Sequence, residues 1–200
     1  MELIIATRNS DKEREISDIL KGLKIKVRSL RDVKGAREVE EDAEDLEGNA
    51  IKKALAASKL TGELVMADDS GLEVDALGGL PGVRSSRFAG ENVSYSRNNM
   101  KLLRLLKGLP KKKRRARFRC CVAIALRGKI VGLVEGVCNG YISDALKGKT
   151  GFGYDPLFIV PKYGKTFAQL GVKVKNRISH RSKAVRKAKR FISEFLRRYP

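Results

Sequence analysis

The chain of 200 residues is long enough for one domain, or for one domain with two lobes, and 42% of its residues are hydrophobic. Its net charge of +20 attracts polyanions, such as nucleotides, nucleic acid or an anionic membrane surface, without distinguishing among them. No apolar run approaches the roughly 20 residues of a membrane-spanning helix, and the start lacks the basic region of a signal peptide, so we expect a cytoplasmic protein.

Cysteine and histidine are too few for several common kinds of site. The three cysteines, Cys120, Cys121 and Cys138, match no zinc-binding spacing, so we expect reduced thiols in strands. His180 is the only histidine, which excludes a multi-histidine metal site within one chain. A metal ion would therefore be bound by carboxylates, which favours hard cations such as Mg²⁺ or Mn²⁺.

The N-terminal third alternates between strand and helix patterns. Residues 2–7 predict a short buried strand, and residues 10–22 predict a helix with apolar side chains at i, i+3, i+4 and i+7. Residues 24–30 alternate like a second strand, whereas the charged residues 32–45 predict a loop. Residues 46–60 predict a second helix with one apolar side.

The next segments predict a strand and its return. Residues 64–69 predict a buried strand, and residues 71–77 predict a strand that returns from a tight Ser-Gly turn. Residues 78–82, GGLPG, predict a loop, and residues 94–107 predict a helix.

The C-terminal half begins with a hairpin. Residues 116–126 and 129–141 predict a long strand pair, followed by a glycine-rich loop at 148–156. Residues 179–198 predict the last helix, with Ser179 as its N-cap. Early alternation of strands and helices, with a hairpin in the middle, predicts an α/β or α+β protein with a mixed sheet.

A polar turn from Thr7 to Lys12 joins the first strand to the first helix. The N-terminus of a helix presents free N–H groups and a positive dipole, which suits phosphate, and Arg8 and Lys12 add positive charge. An ordinary capped helix with Asn9 or Ser10 as the N-cap explains the same residues.

Two adjacent carboxylates, Asp68 and Asp69, stand at the end of an apolar stretch. Carboxylates near a core need a cation or hydrogen-bond donors. Because successive side chains on a strand point to opposite faces, we expect one to bind metal or position water and the other to fix the turn. A plain Asp-Asp-Ser-Gly turn is the open alternative.

Three further segments are candidates for binding. The acidic loop could supply another metal-binding carboxylate, although a solvated loop explains most of its residues: Glu38, Glu40, Glu41, Asp42, Glu44, Asp45 and Glu47. The glycines around Phe152 let the backbone approach a ligand and leave a ring for stacking, or else form a strained loop over a core ring. His180 and Arg181 open the last helix, where they could bind an anionic or carbonyl-bearing ligand or lie at the surface of a capped helix.

In this order, these segments resemble the inosine triphosphate pyrophosphatase family, which hydrolyses non-standard purine nucleotides. The matching motifs are TRNxxK (7–12), NAxxKA (49–54), ADDSGLxVDALGGLPG (67–82), SxRFAG (85–90), GFGYDPLF (151–158) and SHR (179–181). They span nearly the whole chain, and the motifs at 67–82 and 151–158 are distinctive.

The resemblance implies a Maf-like α/β fold with a long mixed central sheet flanked by helices, and two lobes with an active-site cleft between them. Residues 1–200 would form this single pyrophosphatase domain. It also implies a homodimer that requires Mg²⁺, for which Mn²⁺ could substitute. The enzyme would cleave ITP, dITP or XTP between the α- and β-phosphates, releasing the monophosphate and pyrophosphate.

The resemblance also assigns roles to single residues. Asp69 would be the catalytic carboxylate and a metal ligand, and Glu41, eight residues before Asn49, would be the second metal ligand. The residues implied to hold the triphosphate are Thr7, Arg8, Asn9, Ser10, Asp11, Lys12 and Lys53, with Ser70 contacting the substrate.

The base and sugar would be recognised by a second set of residues: Phe152, Gly153, Tyr154, Asp155, Lys175, His180 and Arg181. Phe152 would stack on the purine, with His180 and Arg181 near its 6-oxo group. A donor such as Arg181 facing the 6-amino group of adenine would be left unpaired, which costs roughly 1–3 kcal/mol and would disfavour ATP.

Two departures and two alternatives accompany the resemblance. Leu46 replaces the family's Thr-Phe before the Asn-Ala pair, and the loop offers Glu40, Glu44 and Glu47 as competitors of Glu41. A nucleic-acid-binding protein would use the basic run at 111–119 and the last helix, but the motif set argues against that as the main function. A pyrophosphatase for modified pyrimidines is disfavoured by the SHR and FGYDP motifs.

Overall fold

The computed structural model describes residues 1–198 and divides the chain into two compact units. Unit 1 comprises residues 1–69, 120–136 and the C-terminal segment from 181, and unit 2 comprises residues 70–119 and 137–180. The strands are β1 (Leu3–Ile5), β2 (Val27–Ser29), β3 (Leu64–Val74), β4 (Pro81–Gly82), β5 (Arg115–Leu126), β6 (Lys129–Ile142), β7 (Phe158–Val160) and β8 (Lys165–Thr166). The helices are α1 (Ser10–Leu20), α2 (Leu46–Thr61), α3 (Tyr95–Leu105), α4 (Phe167–Ile178) and α5 (His180–Arg198).

The strands form one mixed sheet, as the sequence predicts. Their order is β2-β1-β3-β5-β6-β7-β8, with β4 paired to β3. β1 pairs in parallel with β2 and β3, whereas β7 pairs antiparallel with β6 and β8. The α/β class is therefore confirmed, and none of the helices within residues 1–198 is long and apolar enough to cross a membrane.

Unit 1 has its own core between helices and strands. The apolar side of α1 contributes Ile16 and Leu20, and α5 contributes a row of small and branched side chains ending at Ile192. The first strand fills the centre with Leu3 and Ile5, which are fully buried. This packing explains the apolar spacing of both helices, since each must cover one side of a sheet.

Unit 2 has a separate core that contains an aromatic cluster. Phe158 lies between two other rings, with ring centroids 4.7 Å from Phe118 and 5.3 Å from Phe167. Leu102 and Leu106 from α3 and its C-terminal end join the same cluster. Aromatic burial of this kind contributes more than its area alone, so it holds the strands of unit 2 against α3 and α4.

The predicted return after the acidic pair is wrong. β3 continues through Ser70 and Gly71 to Val74, and the chain turns only afterwards, at Gly78 and Gly79. Both of those glycines have positive φ, which other residues rarely adopt, whereas Gly71 stays in the extended strand. The acidic pair therefore lies inside a strand, not at a turn.

The short strands β7 and β8 and the helix α4 were not predicted from the sequence. β7 and β8 are too short to give a period, and α4 contains Gly171, whose non-helical backbone kinks the helix. A capping box between Thr166 and Gln169 starts α4. α4 carries Lys175, one of the residues predicted to recognise the base.

Candidate active site

The turn after β1 is a capped helix start. The side chain of Asn9 accepts hydrogen bonds from the backbone N–H groups of Asp11 and Lys12, both at 3.0 Å. Thr7 Oγ1 accepts one from the Asn9 N–H at 3.3 Å, and Arg8 donates to the Ala36 carbonyl at 2.9 Å. Asn9 is thus the N-cap of α1, as the alternative interpretation of this turn predicts. Its bond to the Lys12 N–H fixes the backbone position of Lys12.

Asp68 is a buried carboxylate enclosed by cations. Its Oδ2 lies 3.5 Å from Lys12 Nζ and 3.2 Å from Arg181 Nε. Burial alone would raise the pKa of Asp68, but the charges of Lys12, Arg181 and Lys53 hold it well below its ordinary value. Asp68 is therefore charged at neutral pH, which suits a structural carboxylate better than a proton acceptor.

Asp69 is in a different environment although it is the next residue. Asn49 Nδ2 donates to its Oδ2 at 3.1 Å, and Lys12 Nζ and Lys53 Nζ each lie 3.9 Å from its Oδ1. Burial raises the pKa of Asp69, and the two lysines only partly oppose this. The two neighbours are thus shifted in opposite directions, a pattern that separates a proton acceptor from a fixed charge.

Lys53 joins the acidic loop to β3. Its Nζ donates to Glu41 Oε1 at 2.6 Å and to the Asp68 carbonyl at 2.7 Å. Burial alone would raise the pKa of Glu41, but Lys53 lowers it below the ordinary value. The competing glutamates of the loop are exposed: Glu40, Glu44 and Glu47. Among these glutamates Glu41 is therefore the one that pairs with Lys53, which also lies 3.9 Å from Asp69.

A hard divalent cation fits the chemistry of this group. Glu41 and Asp69 both contact the ammonium of Lys53, so their oxygens already surround one positive charge. Within residues 1–198 no three His, Cys, Asp or Glu side chains are grouped so as to hold a metal by themselves. Mg²⁺ is commonly bound by one or two carboxylates together with substrate phosphates and water, so two protein ligands are sufficient.

Arg181 lies with the carboxylates of unit 1. Its Nη1 donates to Glu15 Oε2 at 2.5 Å, in addition to its bond with Asp68. The sequence placed Arg181 beside the purine, so the structure gives it other neighbours than those expected. Glu15 was not predicted at all, although its spacing from Lys12 on α1 puts the two on one side of the helix.

Asn49 is the second residue that sequence reasoning missed. Its Oδ1 accepts from the Ala43 N–H at 3.0 Å, while its Nδ2 donates to Asp69. The side chain is 1% exposed, and both ends of its amide are engaged. The NAxxKA motif contains this residue, but its role depends on two contacts distant in sequence.

A second group of predicted residues lies in unit 2, around the glycine-rich loop. Lys175 Nζ lies 4.2 Å from the centre of the Phe152 ring and 2.5 Å from Asp155 Oδ2. The same carboxylate accepts from the Phe152 N–H at 2.9 Å. Asp155 Oδ2 would be 2.1 Å from a Cβ at position 151, so Gly151 is required there.

Helix α3 supports this loop from one side. Asn99 Nδ2 donates to the Gly153 carbonyl at 2.9 Å, and the Tyr95 ring lies 6.0 Å from the Phe152 ring. The half-buried Phe152 therefore has a ring held from two directions, by Tyr95 and by Lys175. This arrangement presents an aromatic face next to a cation, which suits a planar base.

The remaining predicted residues of unit 2 are more enclosed than expected. Tyr154 is in the core and donates to the Ser85 carbonyl at 2.9 Å, and its burial raises its pKa. His180 is 3% exposed and stacks on Phe118 with ring centroids 4.5 Å apart, so it is not a surface histidine. Ser70 lies half-buried in β3.

Comparison with known proteins identifies the family of the chain. The model of the Ham1 family matches residues 3–191. The dITP/XTP pyrophosphatase of Desulforamulus reducens is 54% identical over 188 residues, 94% of each chain. That of Bacillus subtilis is 45% identical over 191 residues, 96% of each chain.

Solved structures are similar over nearly the whole chain. The Ham1 protein of Staphylococcus aureus superposes with a TM-score of 0.87 at 39% identity, covering 97% of this chain and 99% of its own. The HAM1 protein of Coxiella burnetii gives a TM-score of 0.89 at 36% identity with the same coverage.

Proposed function

The chain belongs to the Ham1 family, and we propose that it hydrolyses non-standard purine nucleoside triphosphates, such as ITP, dITP and XTP, to the monophosphate and pyrophosphate. One observation carries this proposal. Two adjacent carboxylates of β3 have oppositely shifted pKa values, and Lys12 and Lys53 lie against them. A triphosphate carries about four negative charges, which such lysines neutralise before water attacks.

In the mechanism that we propose, Asp69 accepts a proton from the attacking water. Its raised pKa makes it a better base than an ordinary aspartate, while Asn49 holds one oxygen and orients the other. Lys12 and Lys53 attract the phosphate oxygens, and the N-terminus of α1 contributes the positive end of its dipole. Asp68 keeps Lys12 in place by charge.

Glu41 and Asp69 would hold the Mg²⁺ ion, with Mn²⁺ as a possible substitute. The bound ion supplies neutralisation of phosphate charge and polarisation of the bond between the α- and β-phosphates. Lys53, which lies against the same two carboxylates, would then contact the phosphate oxygens.

For the base, we propose that Phe152 stacks on the purine and that the backbone of Gly153 approaches it closely. Lys175 would donate to the purine from its position over the ring, with Asp155 holding the ammonium. His180 supports this half of the recognition from beside Phe118. Arg181 was expected near the 6-oxo group, but its ion pairs lead us to propose that it first serves to hold Asp68.

Two finer proposals concern the assembly of the protein, from the resemblance, and its location, from the composition. We propose that the protein is a homodimer, which light scattering after size-exclusion chromatography would measure directly. We also propose that it acts in the cytoplasm, where its three free cysteines would remain reduced. A monomer at micromolar concentration would contradict the first of these.

Hydrolysis of ITP in ¹⁸O-labelled water with Mg²⁺ tests the proposed reaction. Attack at the α-phosphorus places the label in the monophosphate and leaves pyrophosphate unlabelled, which mass spectrometry detects. Release of inosine diphosphate with single phosphate would contradict the proposal, and label in pyrophosphate would mean that water attacks the β-phosphorus instead. Omission of Mg²⁺ provides the control for the metal requirement.

A further inference from the structure

The positive charge of the chain is divided unequally between the units. Unit 2 has 20 Lys and Arg against 5 Asp and Glu, whereas unit 1 has 23 against 18. Lys12 and Lys53, proposed to bind the triphosphate, lie in the nearly balanced unit 1. The excess charge of unit 2 is therefore not explained by binding of the triphosphate there.

Much of the excess lies in one stretch of chain. Between Glu91 and Glu135 there is no acidic residue, and there are 13 basic ones. Six exposed members of this stretch run from the end of α3 into β5, and we name them the lysine-turn surface: Arg104, Lys107, Lys111, Lys112, Lys113 and Arg115.

The centre of this surface is held rigidly. Lys111–Lys113 form a 3-10 turn, and Lys111 Nζ lies 4.6 Å from the centre of the Tyr141 ring. The next residue, Arg114, is buried and donates to the carbonyls of Leu106 at 2.8 Å, Leu109 at 2.9 Å and Ser143 at 3.1 Å. Each of the three guanidinium nitrogens of Arg114 donates to a backbone carbonyl, and these bonds hold the 3-10 turn against the rest of unit 2.

The charges of this surface are not neutralised by the protein. Arg117 and Arg119, further along β5, both pair with Glu73. In contrast, among the described residues 1–198, no member of the lysine-turn surface forms an ion pair. Like charges held close together repel one another, and a bound polyanion relieves that repulsion. No acidic side chain in the described part of the chain competes with the polyanion for these cations.

We propose that the lysine-turn surface binds the phosphodiester backbone of nucleic acid without reading its sequence. Six cations spread over two elements and a turn suit a polymer of phosphates better than one small anion. Between residues 107 and 115 the exposed side chains are lysine, arginine and one proline. Leu105 is the one large apolar side chain exposed between residues 104 and 115, so this surface offers little apolar area to enter a membrane.

The test measures fluorescence anisotropy of labelled 30-mers, as duplex DNA and single-stranded RNA, from 50 to 200 mM salt. We expect micromolar binding at the low end that weakens steeply with salt. Changing Lys111, Lys112, Lys113 and Arg115 to Gln should make the slope of log K against log salt shallower by about 3–4 for duplex DNA, since each phosphate contact contributes about 0.9. The two probes show whether duplex or single strand is preferred.

The matched control removes the same number of positive charges, four, from the exposed side of α5. It changes Lys183, Arg186, Arg190 and Arg197 to Gln. We expect this variant to keep the wild-type slope within about 1, and both variants to keep wild-type hydrolysis of ITP. The proposal is overturned if wild-type protein does not bind at 50 mM salt, or if both variants lose slope equally. The proposal is also overturned if the protein sediments with anionic phosphatidylserine vesicles at a salt concentration where it binds neither nucleic-acid probe.

Discussion

At the scale of single residues, Asp68 and Asp69 show how one strand creates two different carboxylates. Lys12 Nζ lies 3.5 Å from Asp68 and 3.9 Å from Asp69. Asp68 also pairs with Arg181, whereas Asp69 accepts a hydrogen bond from Asn49. The first is held charged, and the second has a raised pKa. Of the two, Asp69 is therefore the stronger proton acceptor.

The change Asp69→Asn should lower kcat for ITP by about 10²–10⁴-fold, because it removes the proton acceptor. The amide retains the size of the side chain, so we expect the fold to persist. Steady-state pyrophosphate release measures the effect, with thermal unfolding as the control. A rate near that of the wild type would move the proton acceptor to another residue.

Lys53 and Lys52 offer a matched pair one residue apart on α2. Lys53 contacts Glu41 and the carbonyl of Asp68, whereas Lys52 pairs with Asp42 in solvent. We expect Lys53→Met to reduce kcat/KM by at least about 10²-fold, through loss of an electrostatic contact in a water-poor site. Lys52→Met should stay close to the wild type, and equal losses from the two changes would refute the assignment.

Asp68 should stabilise the fold in a way that depends on pH. Its pKa is lower in the folded state, so its contribution is complete above its unfolded pKa of about 3.9 and is lost as pH falls through the folded value. We expect Asp68→Asn to cost roughly 3–5 kcal/mol at pH 7, because Arg181 loses a buried partner. Urea unfolding of the wild type and the variant, at pH 7 and below pH 3, measures the loss of unfolding free energy at each pH. An equal loss at the two pH values would contradict this role.

The sequence predicts the chemical types of these residues but not their partners. Asp69 and Glu41 follow from the motifs, and the structure brings both into contact with Lys53. The pairing of Arg181 with Glu15 joins residues 166 positions apart, and no local pattern indicates it. Contacts of this kind depend on the fold, which places α1 and α5 on the same core.

At the scale of elements, two side chains of α2, Asn49 and Lys53, each join the acidic loop to β3. Asn49 on α2 accepts from the loop at Ala43 and donates to β3 at Asp69. The loop carries Glu41, so the Asn49 amide positions both carboxylates that we propose as metal ligands.

The change Asn49→Ala should therefore reduce Mg²⁺ affinity or activity by about 10–100-fold, as is usual for residues that orient metal ligands. The measurement is kcat/KM for ITP as a function of Mg²⁺ concentration. The wild-type dependence on Mg²⁺ in this variant would show that Asn49 serves only the fold.

The elements that the sequence predicts well are long ones in which apolar residues recur regularly. α1, α2, β5, β6 and α5 all lie close to their expected ranges, because each buries one regular apolar side. The error at Ser70 and Gly71 arose because a Ser-Gly pair suggests a turn even where the strand continues. That error had a consequence for function, since it placed the acidic pair at a strand end instead of within the strand.

At the scale of the whole molecule, each unit has its own core and its own part of the proposed chemistry. The carboxylates and lysines proposed for phosphate lie in unit 1, and the Phe152 group proposed for the base lies in unit 2. The structure also shows where the net charge of +20 lies, because most of the excess of basic residues is in unit 2. Composition alone showed its size but not its position.

The central claim is that the enzyme releases pyrophosphate from non-standard purine triphosphates and spares the standard ones. Its most direct test is a single reaction with equal concentrations of ITP, XTP, ATP and GTP and Mg²⁺, followed by chromatography of all nucleotides. We expect inosine and xanthosine monophosphates and pyrophosphate to accumulate while ATP and GTP remain largely intact. Consumption of all four triphosphates at similar rates, or accumulation of diphosphates, would contradict the account.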